Sequence, residues 1–261
     1  MVARRAAGSD PTVTQGPDNV GTVTAPGLPT PAGETRPIAV PAPAALVVFG
    51  FLAVGALVGS VLGGAVVAFG GSTTGAGTTL LSEVGLWSGM AGAAVYLSRR
   101  YGTSSLRRDL GFAITRHDVG PGLVAVAAGL LATQVVTLAF DGTRYSGTNT
   151  QLISNQHGFA LALLAVIVAI GAPVFEELYF RGALRIALGR RLGGHLAVVV
   201  QAVIFGLSHY LPSNGVKNVS VMVIVGTLGL VLGYTARATG RLGPGMLAHG
   251  LFNLIALAVT I

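Results

Sequence analysis

Cysteine is absent from this sequence of 261 residues, and acidic residues number only nine. Without a thiol, the chain can form neither a disulfide framework nor a thiolate metal site, and it has no cysteine nucleophile. Charged residues of both signs make up 10% of the chain, whereas an average soluble domain contains about 25%. The scarcity of charge therefore argues against a soluble globular protein.

Long apolar runs fill most of the chain after residue 41. Hydrophobic residues form 52% of the sequence, and the mean hydropathy is +0.72. Most of the runs reach or approach the roughly 20 residues that a membrane-spanning helix needs. The sequence therefore predicts an all-α, polytopic helical membrane bundle with about seven transmembrane helices. The apolar runs lie at about 42–70, 80–98, 120–140, 159–180, 195–211, 218–236 and 244–261.

Residues 1–41 have a different composition, with seven of the twelve prolines and almost no apolar run. Such a segment cannot bury enough apolar surface to offset the entropy lost on ordering. We therefore predict a disordered cytoplasmic tail at 1–41 and a transmembrane domain at 42–261. The motifs described below place the core of that domain at 159–261.

Arginine is concentrated in alternate loops, and this explains the formal charge of +7 without a nucleic-acid partner. Five arginines lie at 99–118, three at 185–194 and two at 237–241, whereas the 141–158 loop contains only Arg144. Positively charged loops favour the cytoplasmic side of a membrane. The sequence therefore predicts a multi-pass protein of the cell membrane with a cytoplasmic N-terminus, whose partners are the lipid bilayer and a membrane-associated substrate.

Two adjacent glutamates, Glu176 and Glu177, follow an apolar run in the stretch GAPVFEELYFRG. Each acid near the centre of a membrane helix costs about 2.5–3.5 kcal/mol to insert. Arg181 lies four residues after Glu177, which is the favoured spacing and direction for an ion pair on a helix. Glu176 points about 100° away from Glu177. We therefore predict that Arg181 holds Glu177 and that Glu176 is free to face another group.

Two later apolar runs each contain one histidine. Phe205 and His209 share one helical face at i and i+4, and so do His249 and Asn253. Ionisable groups inside a membrane are costly, and such residues are functional candidates by default. The remaining histidines lie in loops or near the start of a span: His117, His157 and His195.

The chemistry of this set favours hydrolysis by activated water. A carboxylate near an imidazole can act as a general base, and a histidine beside an asparagine can donate hydrogen bonds to an oxyanion. Competing signatures are missing, because the sequence has no HExxH, no GxSG turn, no Walker sequence, no GxGxxG and no aspartate pair within a span. The pattern predicts attack on a carbonyl without a covalent intermediate.

Three motifs occur in order on separate runs: EExxxR at 176–181, FxxxH at 205–209 and HxxxN at 249–253. Together they resemble the CPBP family of type II CAAX prenyl endopeptidases, bacteriocin-processing enzymes and abortive-infection proteins. The resemblance implies an intramembrane endopeptidase that cuts a membrane-associated substrate, either prenylated or bacteriocin-like. It implies these site residues: Glu176 as activator of water with His209 assisting, His249 and Asn253 at the oxyanion, and Glu177 and Arg181 as braces.

The resemblance leaves the cofactor open, because members of this family are often labelled metalloproteases. Glu176, His209 and His249 could hold one zinc ion with an open fourth position. We favour a metal-free reaction, because Asn253 suits an oxyanion and is a poor ligand for zinc.

Two other functions are compatible with the sequence. A transporter or proton relay would use the same intramembrane acids and histidines, but the inverted repeats typical of transporters are not visible. A non-catalytic membrane protein acting by binding, for example in bacteriocin immunity, would not need the complete set of motif residues that this sequence retains.

Cysteine labelling tests the predicted orientation, because an introduced cysteine would be the only thiol in the chain. We expect a membrane-impermeant reagent to label His117→Cys from the cytoplasmic side and Gly147→Cys from the outside. Labelling with the two sides exchanged would show that the orientation is the opposite one.

Overall fold

The computed structural model describes residues 38, 40–139, 156–211, 215 and 218–259. Within these residues every regular element is helical, which confirms the predicted helical membrane bundle. The predicted tail at 1–41 lies almost wholly outside the described residues, so its disorder stays a prediction. The helices are α1 (Ala44–Ala68), α2 (Ala76–Tyr101), α3 (Leu106–Leu110), α4 (Val119–Ala139), α5 (Gly158–Leu207), α6 (Asn218–Thr239) and α7 (Gly243–Ala258), with a 3₁₀ turn at Arg116–Asp118.

Five helical segments of the described residues are long and apolar enough to cross a membrane, and α7 is shorter. The predicted runs 159–180 and 195–211 fall in two parts of α5 that are separated by a kink at Gly193, and the second run extends four residues past Leu207. The loop predicted at 185–194 is helical from 185 to 192, because Arg, Leu and Ala are strong helix formers, and the chain breaks between the two parts at Gly193. Only Gly193 leaves the helical conformation there, with φ 74° and ψ 165°.

The first half of α5 is itself irregular. Two π-helical segments, Ile167–Gly171 and Glu177–Leu184, flank a short α-helical stretch at Ala172–Glu176 that contains Pro173. Segments of π-helix occur frequently at functional sites, because each one shifts the faces on which the following side chains lie. Glu176 and Glu177 thus lie at the junction of an α-helical and a π-helical segment.

Helices α1 and α2 pack through glycine. A Cβ atom on Gly85 would overlap the backbone of Gly59, and one on Gly89 would overlap the backbone of Phe51 and Gly55. Small residues are common where membrane helices approach closely, because packing is the main attraction between helices in lipid. This contact fixes α2 in place beside α5.

The segment between α2 and α4 covers the start of α7. Leu242 donates its backbone N–H to the carbonyl oxygen of Gly111 at 2.9 Å, and Arg241 forms an ion pair with Asp118 at 2.8 Å. The first residues of α7, from Gly243 to Met246, are buried. Helix α7 therefore begins inside the protein, which places its histidine at the level of the acids in α5.

Substitution of glycine by alanine in α2 tests the close packing against α1. We expect Gly85→Ala to lower the stability of the detergent-solubilised protein by about 1–3 kcal/mol, because the new methyl group forces the two backbones apart. Thermal unfolding monitored by circular dichroism provides the measurement.

The matched control is Gly77→Ala in the same helix, where a Cβ atom would meet nothing within 4 Å. We expect this variant to be as stable as the wild type or slightly more so, because alanine favours helix over glycine. Equal stability of the two variants would contradict the packing described above.

Candidate active site

The centre of the site is a buried ion pair within α5. Nη1 of Arg181 lies 2.9 Å from Oε1 of Glu177, and both side chains are fully buried. The pair predicted from the i, i+4 spacing is therefore present. Because an isolated charge in an apolar interior is very costly, each of these two groups depends on the other for its burial.

His249 of α7 lies between the two glutamates. Its Nδ1 is 3.2 Å from Oε1 of Glu177, and its Nε2 is 3.8 Å from Oε2 of Glu176. A carboxylate only accepts hydrogen bonds, so Nδ1–H is the donor to Glu177 and Nε2 faces Glu176. The structure thus brings together three of the predicted site residues from two helices.

The two neighbouring carboxylates have different surroundings. The side chain of Glu176 is 15% exposed, whereas that of Glu177 is fully buried and contacts both Arg181 and His249. Oε2 of Glu176 makes no hydrogen bond within the described part of the chain. The side chain of Glu176 is therefore partly exposed, whereas its Oε2 atom is itself buried beside His249.

Phe205 lies at the centre of the cluster, a position that sequence reasoning did not include in the site. Its ring lies 4.2 Å from Cζ of Arg181 and meets the imidazoles of His209 and His249 edge-on, at centroid distances of 4.9 and 5.8 Å. A guanidinium above an aromatic face is stabilised by the ring quadrupole, most strongly where water is excluded. The FxxxH spacing indicated that Phe205 and His209 share one helical face, but it could not predict the contact between Phe205 and Arg181.

His209 lies beyond Phe205, at the end of α5. Its Nδ1–H donates to the carbonyl oxygen of Phe205 at 2.8 Å, because a carbonyl can only accept. Nε2 then carries the lone pair in the neutral ring. The described residues contain no group of three or more His, Asp or Glu side chains with the spacing of a metal site.

Asn253 has a structural contact that the sequence did not suggest. Its Nδ2 donates to the carbonyl oxygen of Val168 at 2.8 Å. In a π-helix each backbone N–H donates to the carbonyl oxygen five residues earlier, as Ala172 does to Ile167. The corresponding donor to Val168 would be the nitrogen of Pro173, which has no hydrogen. The amide of Asn253 replaces that missing donor, and its second N–H can still serve an oxyanion.

A third carboxylate, Glu83 of α2, acts electrostatically on Glu176. Trp87, one turn further along α2, stacks on Phe175 at 4.8 Å, and this contact brings the two helices together next to the site. The predicted apolar run begins at 80, only three residues before Glu83. Helix α2 begins at Ala76, so Glu83 lies about two turns inside it.

Comparison with known protein families gives one match that bears on this site. The model of the family described as "Type II CAAX prenyl endopeptidase Rce1-like" matches residues 158–255, a region that includes all three motifs. No curated protein and no solved structure matches the chain.

The matched region contains the ion pair, both histidines and Asn253. Together with the apolar helices of the described residues, the match supports a multi-pass membrane protein. Over residues 158–255 the chain is thus similar to the Rce1-like type II CAAX prenyl endopeptidases, consistent with the CPBP family that its motifs resemble.

Proposed function

We propose that the protein is an intramembrane endopeptidase in which Glu176 activates water to hydrolyse a peptide bond of a membrane-associated substrate. One observation carries this proposal. The side chain of Glu176 is 15% exposed and its Oε2 lies 3.8 Å from Nε2 of His249, whereas the adjacent Glu177 is fully buried and committed through Oε1 to Arg181 and His249. A partly exposed carboxylate with only a long contact to an imidazole can accept a proton, and its committed neighbour cannot do so without losing its partners.

In the first step, Glu176 removes a proton from a water molecule while the water oxygen attacks the carbonyl carbon of the substrate. The accessible position of Glu176 allows water and peptide to approach, and the apolar surroundings strengthen every charge interaction at the site. A base held within reach of the attacking water typically contributes 10²–10⁴-fold to the rate.

His249 is placed to stabilise the oxyanion that this attack creates. When His249 is protonated, the four charged groups sum to zero: the carboxylates of Glu176 and Glu177, the guanidinium of Arg181 and the imidazolium itself. Its Nδ1–H remains on Glu177, and its Nε2–H faces Glu176. Once Glu176 has taken a proton and become neutral, Nε2–H can turn to the oxyanion, together with the second N–H of Asn253.

The tetrahedral intermediate then collapses. The bond between carbon and nitrogen breaks, and Glu176 passes the proton from water to the departing amine. His209 assists from the other side of Phe205, where its fixed Nδ1–H leaves Nε2 free to accept a proton or a hydrogen bond from the substrate. No atom of the protein becomes covalently attached to the substrate.

Glu177 and Arg181 act as positioning residues. Glu177 orients His249 through Nδ1–H, and Arg181 compensates the buried charge of Glu177 while resting on the ring of Phe205. This rigid support holds the imidazole in the tautomer and orientation that the oxyanion needs. A substrate with a lipid-attached or hydrophobic segment, either prenylated or bacteriocin-like, fits a site placed within membrane helices.

Exchange of the two glutamates for glutamine tests the assignment of the base. We expect Glu176→Gln to fold normally and to cleave 10²–10⁴-fold more slowly, because the amide keeps the shape but cannot accept the proton. Glu177→Gln leaves Arg181 buried without a counter-charge, so we expect it to lose about 3–5 kcal/mol of stability. Cleavage of a tagged membrane peptide and thermal stability in detergent are measured together.

Two further variants serve as controls for this experiment. Arg181→Ala should lose stability as Glu177→Gln does, since each removes one partner of the ion pair. Glu83→Gln makes the same chemical change in α2, outside hydrogen-bond contact with the site, and should cleave far faster than Glu176→Gln. A rate close to that of the wild type for Glu176→Gln would show that another group is the base.

Removal of metal tests the metal-free mechanism. Because the described side chains form no three-ligand site, we expect cleavage to persist after exhaustive chelation, and we expect the purified protein to contain far less than one equivalent of zinc. Reversible loss of cleavage on chelation, with recovery on addition of zinc, would contradict this mechanism. Metal content measured by mass spectrometry gives a readout that is independent of activity.

A further inference from the structure

A second charged cluster lies where α5 is interrupted, away from the acids of the active site. Gly193 breaks the helix, and the guanidinium of Arg237, from the last turn of α6, lies against the next residue, Gly194. A Cβ atom on Gly194 would overlap Nη1 of Arg237. The break in α5 thus provides the space that this guanidinium occupies.

A chain of polar contacts orients Arg237. Its Nη2 lies 3.2 Å from Nε2 of His195, and Nδ1 of His195 lies 3.5 Å from the hydroxyl of Tyr234. A guanidinium can only donate, so Nε2 of His195 is the acceptor and its ring carries a proton on Nδ1. His195 therefore holds Arg237 from one side and leaves the remaining N–H groups of the guanidinium available.

A second guanidinium, that of Arg185, lies within electrostatic range of Arg237 and repels it. Nε of Arg185 donates to the carbonyl oxygen of Arg181 at 2.8 Å, which fixes its direction. Neither Arg185 nor Arg237 forms an ion pair with a carboxylate in the described ranges. Two like charges held near each other without a counter-charge are unfavourable, and a bound anion would remove that repulsion.

We propose that Arg185 and Arg237, the latter held in place by His195, bind the phosphate group of an anionic membrane phospholipid. Arg237 lies in the last turn of α6, and Arg185 lies eight residues before the break of α5 at Gly193, so both guanidinium groups come from places near the ends of helical segments. Basic pockets between membrane helices are typical sites for anionic headgroups. The positive-inside bias explains the sign of this charge but does not require two arginines to converge.

The surroundings of the cluster favour a lipid over a soluble anion. Leu196 is 49% exposed and Tyr234 is 41% exposed, so an apolar chain attached to the phosphate would find apolar surface beside the charges. Tyrosine is enriched at membrane interfaces, where its ring contacts lipid and its hydroxyl contacts polar groups. Arg190 and Arg191, which shortly precede Gly193 in the chain, are exposed and add attraction for an anionic surface.

Retention of phosphatidylglycerol by the full chain tests this proposal. The protein is reconstituted in vesicles of phosphatidylcholine with and without phosphatidylglycerol, and the lipid retained after extraction is measured by native mass spectrometry. We expect Arg237→Gln and Arg185→Gln each to reduce retention of phosphatidylglycerol about fivefold. Gly194→Ala should reduce it as well, because the new methyl group displaces Arg237 without changing the charge.

Arg107→Gln is the matched control, because Arg107 is an exposed arginine of the 99–118 segment and its removal changes the net charge equally. We expect this variant to retain phosphatidylglycerol like the wild type. An equal loss in Arg107→Gln and Arg237→Gln, or unchanged retention in both Arg237→Gln and Gly194→Ala, would overturn the proposal.

Two other results would also overturn it. In the first, inorganic phosphate stabilises the protein in pure phosphatidylcholine vesicles as strongly as phosphatidylglycerol does. That result would show that a soluble anion is the ligand. A raised KM for peptide cleavage in Arg237→Gln with unchanged lipid retention would assign the cluster to the substrate. The measurement does not depend on cleavage, so loss of the proposed enzymatic function would leave it interpretable.

Discussion

The ion pair between Glu177 and Arg181 is the interaction on which the rest of the site depends. Both groups are fully buried, and neither could remain charged inside a bundle of apolar helices without the other. Each of the remaining contacts supports this pair. The ring of Phe205 covers the guanidinium, and Nδ1–H of His249 shares the same carboxylate oxygen. The neighbouring Glu176 lies outside this pair, and its side chain remains partly exposed.

A second constraint comes from the backbone of α5. Pro173 cannot donate to Val168 in the π-helical pattern, and within lipid a carbonyl without a donor costs several kcal/mol. The amide of Asn253 supplies the donor and thereby ties α7 to α5 four residues away from His249. The same contact that satisfies the carbonyl thus helps to place the imidazole between the glutamates. In this way an irregular helix, which would be unstable alone, becomes the framework of the site.

The fold class and the family resemblance could both be predicted from the sequence, because composition and motif order depend on residues alone. Two element boundaries differ from the prediction for identifiable reasons. Arginines between the apolar runs at 159–180 and 195–211 indicated a loop, but their high helix propensity lets the helix continue until it breaks at Gly193. Helix α2 begins at Ala76 and not at 80, because the polar residues in its first turn hid the beginning of the helix.

The sequence by itself determined what lies within one helix. Spacing of four residues places Glu177 against Arg181, and the shortage of charge requires the chain to cross a membrane, since both follow from helix geometry and transfer free energy. Only the tertiary structure decided which helices meet. It placed His249 between two carboxylates and brought Arg237 to the break in α5, because these contacts join residues far apart in the chain, whose approach depends on packing between helices.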